Sequence, residues 1–305
     1  MKNFRKINRA LAAKKKRVLV LVAAFMAVVA SAKAEVAFAY EAGAEIVSAY
    51  IWRGQYNGGL SFQPEVLIGF DSEHTAFRIG AWSSLGASDW TFRKDQGDGT
   101  AFTRFMPELD IIGSFSLYGL TVGFNHYYYC DGTNFFNWKP VAEIAEQGGT
   151  STTEVWAGYN FSHFFGEKAG AYINWYTTVG GGGDLKPETD LKQIAKGQLE
   201  RQAFSTYIEL GYDYTFEEIG LTLGAQIGLS PWESPIYGND QFACTNLSLK
   251  VNKEWEFEHV TLDVFALGSL NPDGVNNDNA FVKASGDDKI GVQKLNGTIG
   301  VGIWF

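Results

Sequence analysis

The sequence predicts an all-β fold, an antiparallel transmembrane β-barrel of about 12 strands. From residue 43 onward apolar and polar residues alternate, which is the period of β-strands. After residue 34 no stretch is apolar enough to cross a membrane as a helix. The connections between the alternating segments are short and long in turn, as in outer-membrane barrels.

The clearest alternating segments are two neighbours, 207–216 and 221–230. Only Glu217 and Glu218 with their immediate neighbours separate them, so the two predict a β-hairpin. The same reading along the chain predicts 12 strands at about 43–54, 59–70, 75–85, 105–117, 120–130, 151–161, 168–178, 203–216, 219–230, 241–253, 260–269 and 293–305. No linker divides them, so residues 35–305 are expected to form one domain.

The lengths of the connections predict how the barrel lies in its membrane. The tight turns are near Asp71 to His74, Tyr118-Gly119, Ser162 to Glu167, Glu217-Glu218 and Glu254 to His259. The long loops are 86–104, 131–150, 179–202, 231–240 and 270–292, and only Gln55 to Gly58 is short on that side. Long loops face outward and short turns face the periplasm in outer-membrane barrels. Both chain ends are therefore expected on the periplasmic side.

Residues 1–34 have the pattern of a cleaved signal peptide. A basic opening precedes an apolar run from Val18 to Ala30, and small residues follow at Ala32 and Ala34. A membrane-anchoring helix is the alternative, but the run is shorter than the roughly 20 residues that a spanning helix needs. This segment holds nine Lys and Arg and no Asp or Glu, so the remainder is more acidic than the whole chain at −9. That charge argues against a nucleic-acid partner.

Charges predict which face of each strand points inward. One face carries charged residues on strand after strand, and the other is nearly free of them, as hydrocarbon requires. The predicted lumen-lining residues are Arg53, Glu65, Arg78, Glu108, Asp110, Glu154, Glu209, Asp213, Lys250 and Asp263. Ion pairs are expected between Lys250 and Asp263 and between Arg78 and Glu65. Inward aromatic residues such as Trp82, Tyr127 and Trp156 should narrow the lumen.

The last strand carries a recognisable signature. Alternate residues from Leu295 to Ile303 form an apolar face with Phe305, the last residue. This row resembles the carboxy-terminal signature of bacterial outer-membrane barrels. The resemblance implies that Phe305 is an assembly signal recognised by the barrel-assembly machinery.

A second resemblance lies near residue 50. Tyr50, Ile51, Trp52, Arg53 and Gly54 are similar to a Tyr-x-Trp-Arg-Gly element that ends the first strand in a family of uncharacterised bacterial outer-membrane proteins. The resemblance implies the fold and the location but no chemistry. Trp52 is then expected to face lipid, Arg53 to point into the barrel mouth and Gly54 to permit a tight turn. Alternatively, these residues only form girdle and turn.

The sequence contains no convincing catalytic constellation. The four His are spread over the chain, and none is expected beside a Ser in the way that nucleophilic hydrolysis requires. Glu108 and Asp110 share a face and could serve acid–base chemistry or bind a cation, although plain lumen lining is the preferred interpretation. Cys130 and Cys244 could pair, but two unpaired thiols are preferred.

The function expected is therefore that of a narrow, cation-preferring pore or solute channel in the bacterial outer membrane. The alternative is a non-conducting structural or interaction barrel that acts through its external loops. Neither an enzyme nor a cofactor-binding protein is expected. The expected partners are outer-membrane lipid, lipopolysaccharide and the barrel-assembly machinery.

Overall fold

The structure is a computed structural model that describes residues 36–86, 90–94, 101–105, 107–130, 135, 151–165, 169–181, 184, 202–273 and 294–305. Twelve antiparallel strands form a closed barrel, in which each strand is hydrogen-bonded to two neighbours. The prediction of an all-β, antiparallel 12-strand barrel is confirmed. No described helix is long and apolar enough to cross a membrane.

The barrel strands are β1 (Ala37–Val47), β4 (Ser61–Asp71), β5 (Thr75–Gly86), β8 (Glu108–Leu117), β9 (Leu120–Tyr128), β10 (Thr152–Asn160), β11 (Ala169–Gly181), β12 (Thr206–Phe216), β13 (Leu221–Ser230), β14 (Ala243–Glu256), β15 (Thr261–Leu270) and β16 (Leu295–Trp304). Around the wall these strands follow the order β1-β16-β15-β14-β13-β12-β11-β10-β9-β8-β5-β4. Two further hairpins are not part of the wall, namely β2–β3 (Tyr50–Trp52 and Gln55–Gly58) and β6–β7 (Trp90–Lys94 and Ala101–Phe105). A short helix, α1 (Ser162–Phe165), follows β10.

The wall has an exposed apolar outer face and a less exposed inner face. On β16, Leu295 and Ile299 point outward and are 68% and 66% exposed, whereas Asn296 and Thr298 point inward and are 4% and 7% exposed. Alternation in a strand places successive side chains on opposite faces, so this pattern separates outside from inside. The chain thus directs its apolar side chains outward and many of its polar side chains inward.

Two tight turns use the left-handed conformation. Leu117 pairs with Leu120, as predicted, and the turn between them is Tyr118-Gly119 with φ of 49° and 82°. Two successive positive φ values are characteristic of a type I′ hairpin turn. The predicted hairpin of β12 and β13 is also confirmed, and a 3-10 turn at Glu217–Ile219 joins its strands.

The first strand departs from the prediction. The sequence predicts a strand over 43–54 and a connection over Gln55 to Gly58, but β1 ends at Val47 and residues 50–58 form the β2–β3 hairpin. The Ala49 amide donates to Thr298 Oγ1 at 3.1 Å, and the Ile299 amide donates to Ser48 Oγ at 3.0 Å. These side-chain bonds replace the regular ladder next to β16, and the chain leaves the wall there.

The register between β14 and β15 also differs from the prediction. Lys250 lies opposite Leu267, and Asp263 lies opposite Glu254, so the expected pair of Lys250 with Asp263 is wrong. The cause is the turn, because β14 continues to Glu256 and the Phe257 amide donates to the Val260 carbonyl at 2.8 Å. The register therefore shifts by an even number of residues, which keeps both charged residues on the inner face.

Several predicted segments fall where the structure gives no description. The predicted signal peptide, residues 1–34, lies outside the described residues, as do most of the loops 131–150, 179–202 and 270–292. The loop 86–104 is described in part and contains most of the β6–β7 hairpin, which the sequence did not predict. Cys130 and Cys244 do not form a disulfide with each other.

Candidate functional site in the barrel lumen

The inner face near the long-loop end holds a cluster of polar and aromatic side chains around one guanidinium. We call it the Arg53 cluster, and its members are Trp52, Arg53, Tyr127, Glu154, Tyr176, Tyr207 and Tyr237. Arg53 and Gly54 form the tip of the β2–β3 hairpin with φ of 49° and 82°. The hairpin therefore brings a charged tip against the inner wall.

Glu154 holds Arg53 through two parallel hydrogen bonds. Arg53 Nη1 and Nη2 donate to the two carboxylate oxygens of Glu154 at 2.6 and 2.8 Å. The side chains of Arg53 and Glu154 are 9% and 2% exposed. Tyr127 also donates to Glu154, at 3.0 Å, and Arg53 donates to the Tyr237 hydroxyl at 2.6 Å. Such a bidentate pair fixes both distance and orientation.

Aromatic rings surround the guanidinium. Its central carbon lies 3.8 Å from the ring centroid of Tyr176, 4.6 Å from that of Trp52 and 5.0 Å from that of Tyr207. The Trp52 ring stacks on Tyr237 at 5.8 Å and contacts Tyr127 edge-on at 5.9 Å. The expectation that Trp52 faces lipid is therefore wrong, because the hairpin carries it into the cluster.

The hairpin tip fits closely against the wall. Asn296 Nδ2 donates to the Gly54 carbonyl at 2.8 Å. A Cβ on Gly54 would lie 2.6 Å from the Thr245 carbonyl oxygen, so only glycine allows this approach. Gly54 therefore serves both the turn and the contact with β14.

Two carboxylates form a second group, next to the hairpin. Glu108 and Asp110 on β8 are 7% and 6% exposed. Asp110 is paired in register with Trp82 on one side and Tyr127 on the other. Tyr50 of the hairpin packs on Trp82, with ring centroids 5.4 Å apart. We call Glu108 and Asp110 the β8 acidic pair.

The remaining predicted lining residues lie at other places on the inner wall. Glu209 accepts hydrogen bonds from Asn174 and Tyr207, each at 3.3 Å. Asp263 accepts one from Trp304 Nε1 at 2.8 Å. Lys250 Nζ lies 4.7 Å from the Phe265 ring centroid.

Glu65, Arg78 and Asp213 complete the predicted set. Arg78 forms a bidentate ion pair with Asp71, at 2.5 and 2.6 Å, so the expected pair with Glu65 is wrong. Glu65 lies opposite Trp82, whereas Arg78 lies opposite Gly69, four residues further along β4. Asp213 lies opposite Gly224, which in turn lies opposite Lys250.

His126 illustrates why the sequence alone could not assign a role. It pairs with Ile111, and it is 2% exposed. Its Nδ1 lies 2.8 Å from Thr153 Oγ1, and its Nε2 lies 2.8 Å from the Phe135 carbonyl oxygen. These contacts explain its burial as a link between the wall and a loop residue.

The sequence missed Tyr207 and Tyr237 as members of the cluster. Tyr207 lies in a strand, and its partners come from distant elements, including the hairpin and β14. Tyr237 lies in the loop after β13 and is 3% exposed. No local pattern marks a loop tyrosine as buried, since its burial depends on the hairpin that enters the barrel.

Comparisons with known proteins add no family. No family model matches the chain, and no curated protein matches it. Among solved structures, it is similar to an outer-membrane channel of Pseudomonas putida F1, with 11% identity, 89% of this chain and 94% of that chain covered, and a TM-score of 0.41. It is also similar to a FadL homologue of Pseudomonas aeruginosa, with 12% identity, coverages of 88% and 75%, and a TM-score of 0.34.

A third similar structure is the anion-selective porin of Comamonas acidovorans, with 8% identity, coverages of 88% and 99%, and a TM-score of 0.30. All three scores are low, so the barrel architecture rests on the strand pairing within this chain.

Proposed function

We propose that this chain is a bacterial outer-membrane barrel that forms a narrow, cation-preferring pore. The observation that carries the proposal is the surplus of carboxylates on the inner face of the wall. Carboxylates in a confined lumen attract cations and repel anions. Lipid and lipopolysaccharide would contact the outer face, and the barrel-assembly machinery would recognise the last strand with Phe305.

The outer face supports the membrane location. Large apolar side chains are exposed around the wall, for example Phe38 at 63%, Leu249 at 69% and Val301 at 48%. An apolar surface of this extent marks a membrane or a large interface. Exposed aromatic residues lie near both ends of the strands, among them Phe70, Tyr118, Phe216, Trp255 and Phe305 at the short-turn end and Phe62, Trp175, Trp232 and Phe242 at the long-loop end. Two such girdles are expected at the two membrane interfaces.

The charge balance supports a preference for cations. The inner face carries Glu45, Glu65, Glu108, Asp110, Glu154, Glu209, Asp213 and Asp263 against Arg53, Arg78 and Lys250. Arg53 is matched by Glu154, and Arg78 is matched by Asp71 at the rim. The two matched bases cannot also balance the remaining acidic residues.

The Arg53 cluster supports a small conductance. The hairpin and its aromatic neighbours occupy part of the cross-section near the long loops. This observation also favours the second candidate, a non-conducting barrel that acts through its loops. Single-channel recording separates the two, because a sealed barrel gives no current.

The test of selectivity is the reversal potential across a salt gradient, measured with the refolded barrel in a planar bilayer. We expect a small conductance with cation preference, and a weaker preference at higher salt because ions screen the lumen charges. Glu108→Gln with Asp110→Asn should move the reversal potential toward zero.

The matched control removes two carboxylates elsewhere. Glu217→Gln with Glu218→Gln changes the same charge in the exposed turn after β12 and should leave selectivity unchanged. Anion preference, or a large non-selective conductance, would overturn the pore as proposed. Absence of current in the folded barrel would favour the interaction barrel.

A further inference from the structure

The β8 acidic pair places two buried carboxylates of the same sign side by side on the inner wall. Both side chains are more than nine-tenths buried, and they project from the same face because they lie two residues apart on β8. Asp110 is paired in register with Trp82 of β5 and Tyr127 of β9, and Glu108 is paired with Ser84 of β5. The pair is thus enclosed by the wall on both sides and by Tyr50 of the hairpin, which packs on Trp82.

Asp110 contains a buried oxygen that lacks a partner. Among the described residues, no donor lies within hydrogen-bonding distance of Asp110 Oδ1. Buried carboxylate oxygens are nearly always satisfied, because water that they lose must be replaced. This oxygen therefore indicates a ligand that supplies positive charge or a proton.

Neighbouring negative charges favour the binding of a cation at Asp110. Glu108 and Glu154 both act electrostatically on Asp110, and both have the same sign as its carboxylate. The nearby guanidinium of Arg53 gives two of its hydrogen bonds to Glu154 and one to Tyr237. Glu154 is thus neutralised by Arg53 of the chain itself. No described hydrogen bond from a cationic side chain reaches Asp110.

The available ligand atoms are all oxygens. Besides the two carboxylates, the hydroxyls of Tyr50 and Tyr129 are close enough to interact electrostatically with Glu108 and Asp110, and the Tyr129 hydroxyl is hydrogen-bonded to Glu108. Oxygen ligands suit hard cations. No group of three or more His, Cys, Asp or Glu among the described residues is arranged to hold a metal ion, so the ligand set is poor for a divalent ion.

We propose that the β8 acidic pair binds one monovalent alkali cation, with Asp110 Oδ1 as a direct ligand and Glu108 as the second carboxylate. The pair would be a cation-binding site at the long-loop end of the lumen. It rests on the proposed function in one respect, namely that small cations enter the lumen. Binding itself does not require that the barrel conducts.

The probe is Na⁺, observed by ²³Na NMR relaxation on the folded barrel in neutral detergent at constant ionic strength. We expect excess line broadening with the wild-type barrel, and K⁺ should remove it by competition. Asp110→Asn keeps the side-chain shape and should reduce the excess broadening at least fivefold. Glu108→Gln should also reduce it.

The matched control is Asp213→Asn, which removes one carboxylate from another part of the inner face. It should retain the broadening, because the site is local. Equal broadening for wild type and Asp110→Asn would overturn the proposal, as would an equal loss with Asp213→Asn, which would indicate only a diffuse negative lumen. Displacement by micromolar Ca²⁺ but not by K⁺ would replace the monovalent site with a divalent one.

Heat-modifiable migration establishes that each variant is folded. If Asp110→Asn fails to fold, competition by K⁺ on the wild-type barrel still decides the matter, because an absence of saturable competition contradicts the site. A sealed barrel that shows the broadening would reject the pore and keep the site. A conducting barrel without broadening would reject the site and keep the pore.

Discussion

A buried guanidinium is costly unless its charge and its donors are matched, and Arg53 has matches for both. Glu154 supplies the opposite charge with two short hydrogen bonds, while Tyr237 accepts a third. Tyr176, at 3.8 Å, presents the face of its ring to the cation. Because these partners come from separate elements, one residue joins the hairpin, β10, β11 and the loop after β13.

The Arg53–Glu154 pair should therefore contribute strongly to the stability of the barrel. Either Arg53→Met or Glu154→Gln leaves an unmatched buried group, which costs about 3–5 kcal/mol in free energy of unfolding. The double variant should lose less than the sum of the two single variants. Urea unfolding of the barrel in detergent measures the three differences.

The control pair is Arg78 and Asp71, whose side chains are 24% and 43% exposed. Partly exposed pairs contribute about 0–1 kcal/mol, so Arg78→Met or Asp71→Asn should have little effect. Additive losses in the Arg53 cycle would contradict coupling between the buried charges.

At the scale of elements, β16 combines an apolar outer face with an inner face that includes two glycines. Gly300 and Gly302 lie on the inner face, opposite Phe265 and Asp263 of β15. A Cβ on Gly300 would lie 2.4 Å from the Phe265 ring, so the large inward ring needs the glycine beside it. The strand that closes the barrel with β1 is thus fitted to its neighbour as well as to the outer surface.

This fit predicts different responses to the same substitution on the two faces. Gly300→Val should lower the yield of folded, heat-modifiable barrel, since the buried Phe265 ring and the buried Val47, at 3.1 Å from the added Cβ, would both have to move. Overpacking of this kind costs roughly 1–3 kcal/mol. Gly297→Val on the outer face is the control, because its Cβ would meet only the Leu267 carbonyl oxygen at 3.5 Å. Equal yields for the two variants would show that the inner face of β16 is not tightly packed.

At the scale of the whole molecule, the two ends of the barrel differ in structure. The short-turn end contains two-residue and 3-10 turns at Tyr118-Gly119 and Glu217–Ile219. The long-loop end receives the β2–β3 hairpin and the loop that carries Tyr237. Under the proposed membrane location, the Arg53 cluster and the β8 acidic pair therefore lie toward the cell exterior.

The orientation can be tested on intact cells. Protease added from outside should cut within 86–104, 131–150, 179–202 or 270–292, because these loops are expected to face the exterior. The short turns should be cut only after the outer membrane is permeabilised. Fragments that end at the short turns in intact cells would reverse the orientation.

Local patterns in the sequence were sufficient for the wall of the barrel. Strand alternation depends on the two-residue period of the backbone, so the hairpin of β12 and β13, the Leu117–Leu120 turn and the apolar row of β16 could be predicted residue by residue. The same parity separates polar from apolar faces, which is why Lys250 and Asp263 share a face even though their predicted pairing is wrong.

The interior depended on tertiary structure. Trp52 and Arg53 continue an alternating segment, so a strand in the wall was the natural interpretation. The chain leaves the wall where Ser48 and Ala49 bond with residues of β16 that are about 250 positions away, and Glu154 and Asn296 hold the hairpin inside. The register of a hairpin depends on which residues close its turn, so a turn that closes at other residues shifts the pairing along both strands. The sequence by itself determined the strands and the chemistry of their two faces, because those are local properties. Tertiary structure alone decided that a hairpin enters the barrel, that Glu154 receives a guanidinium and that Asp110 does not, because those contacts join residues far apart in the chain.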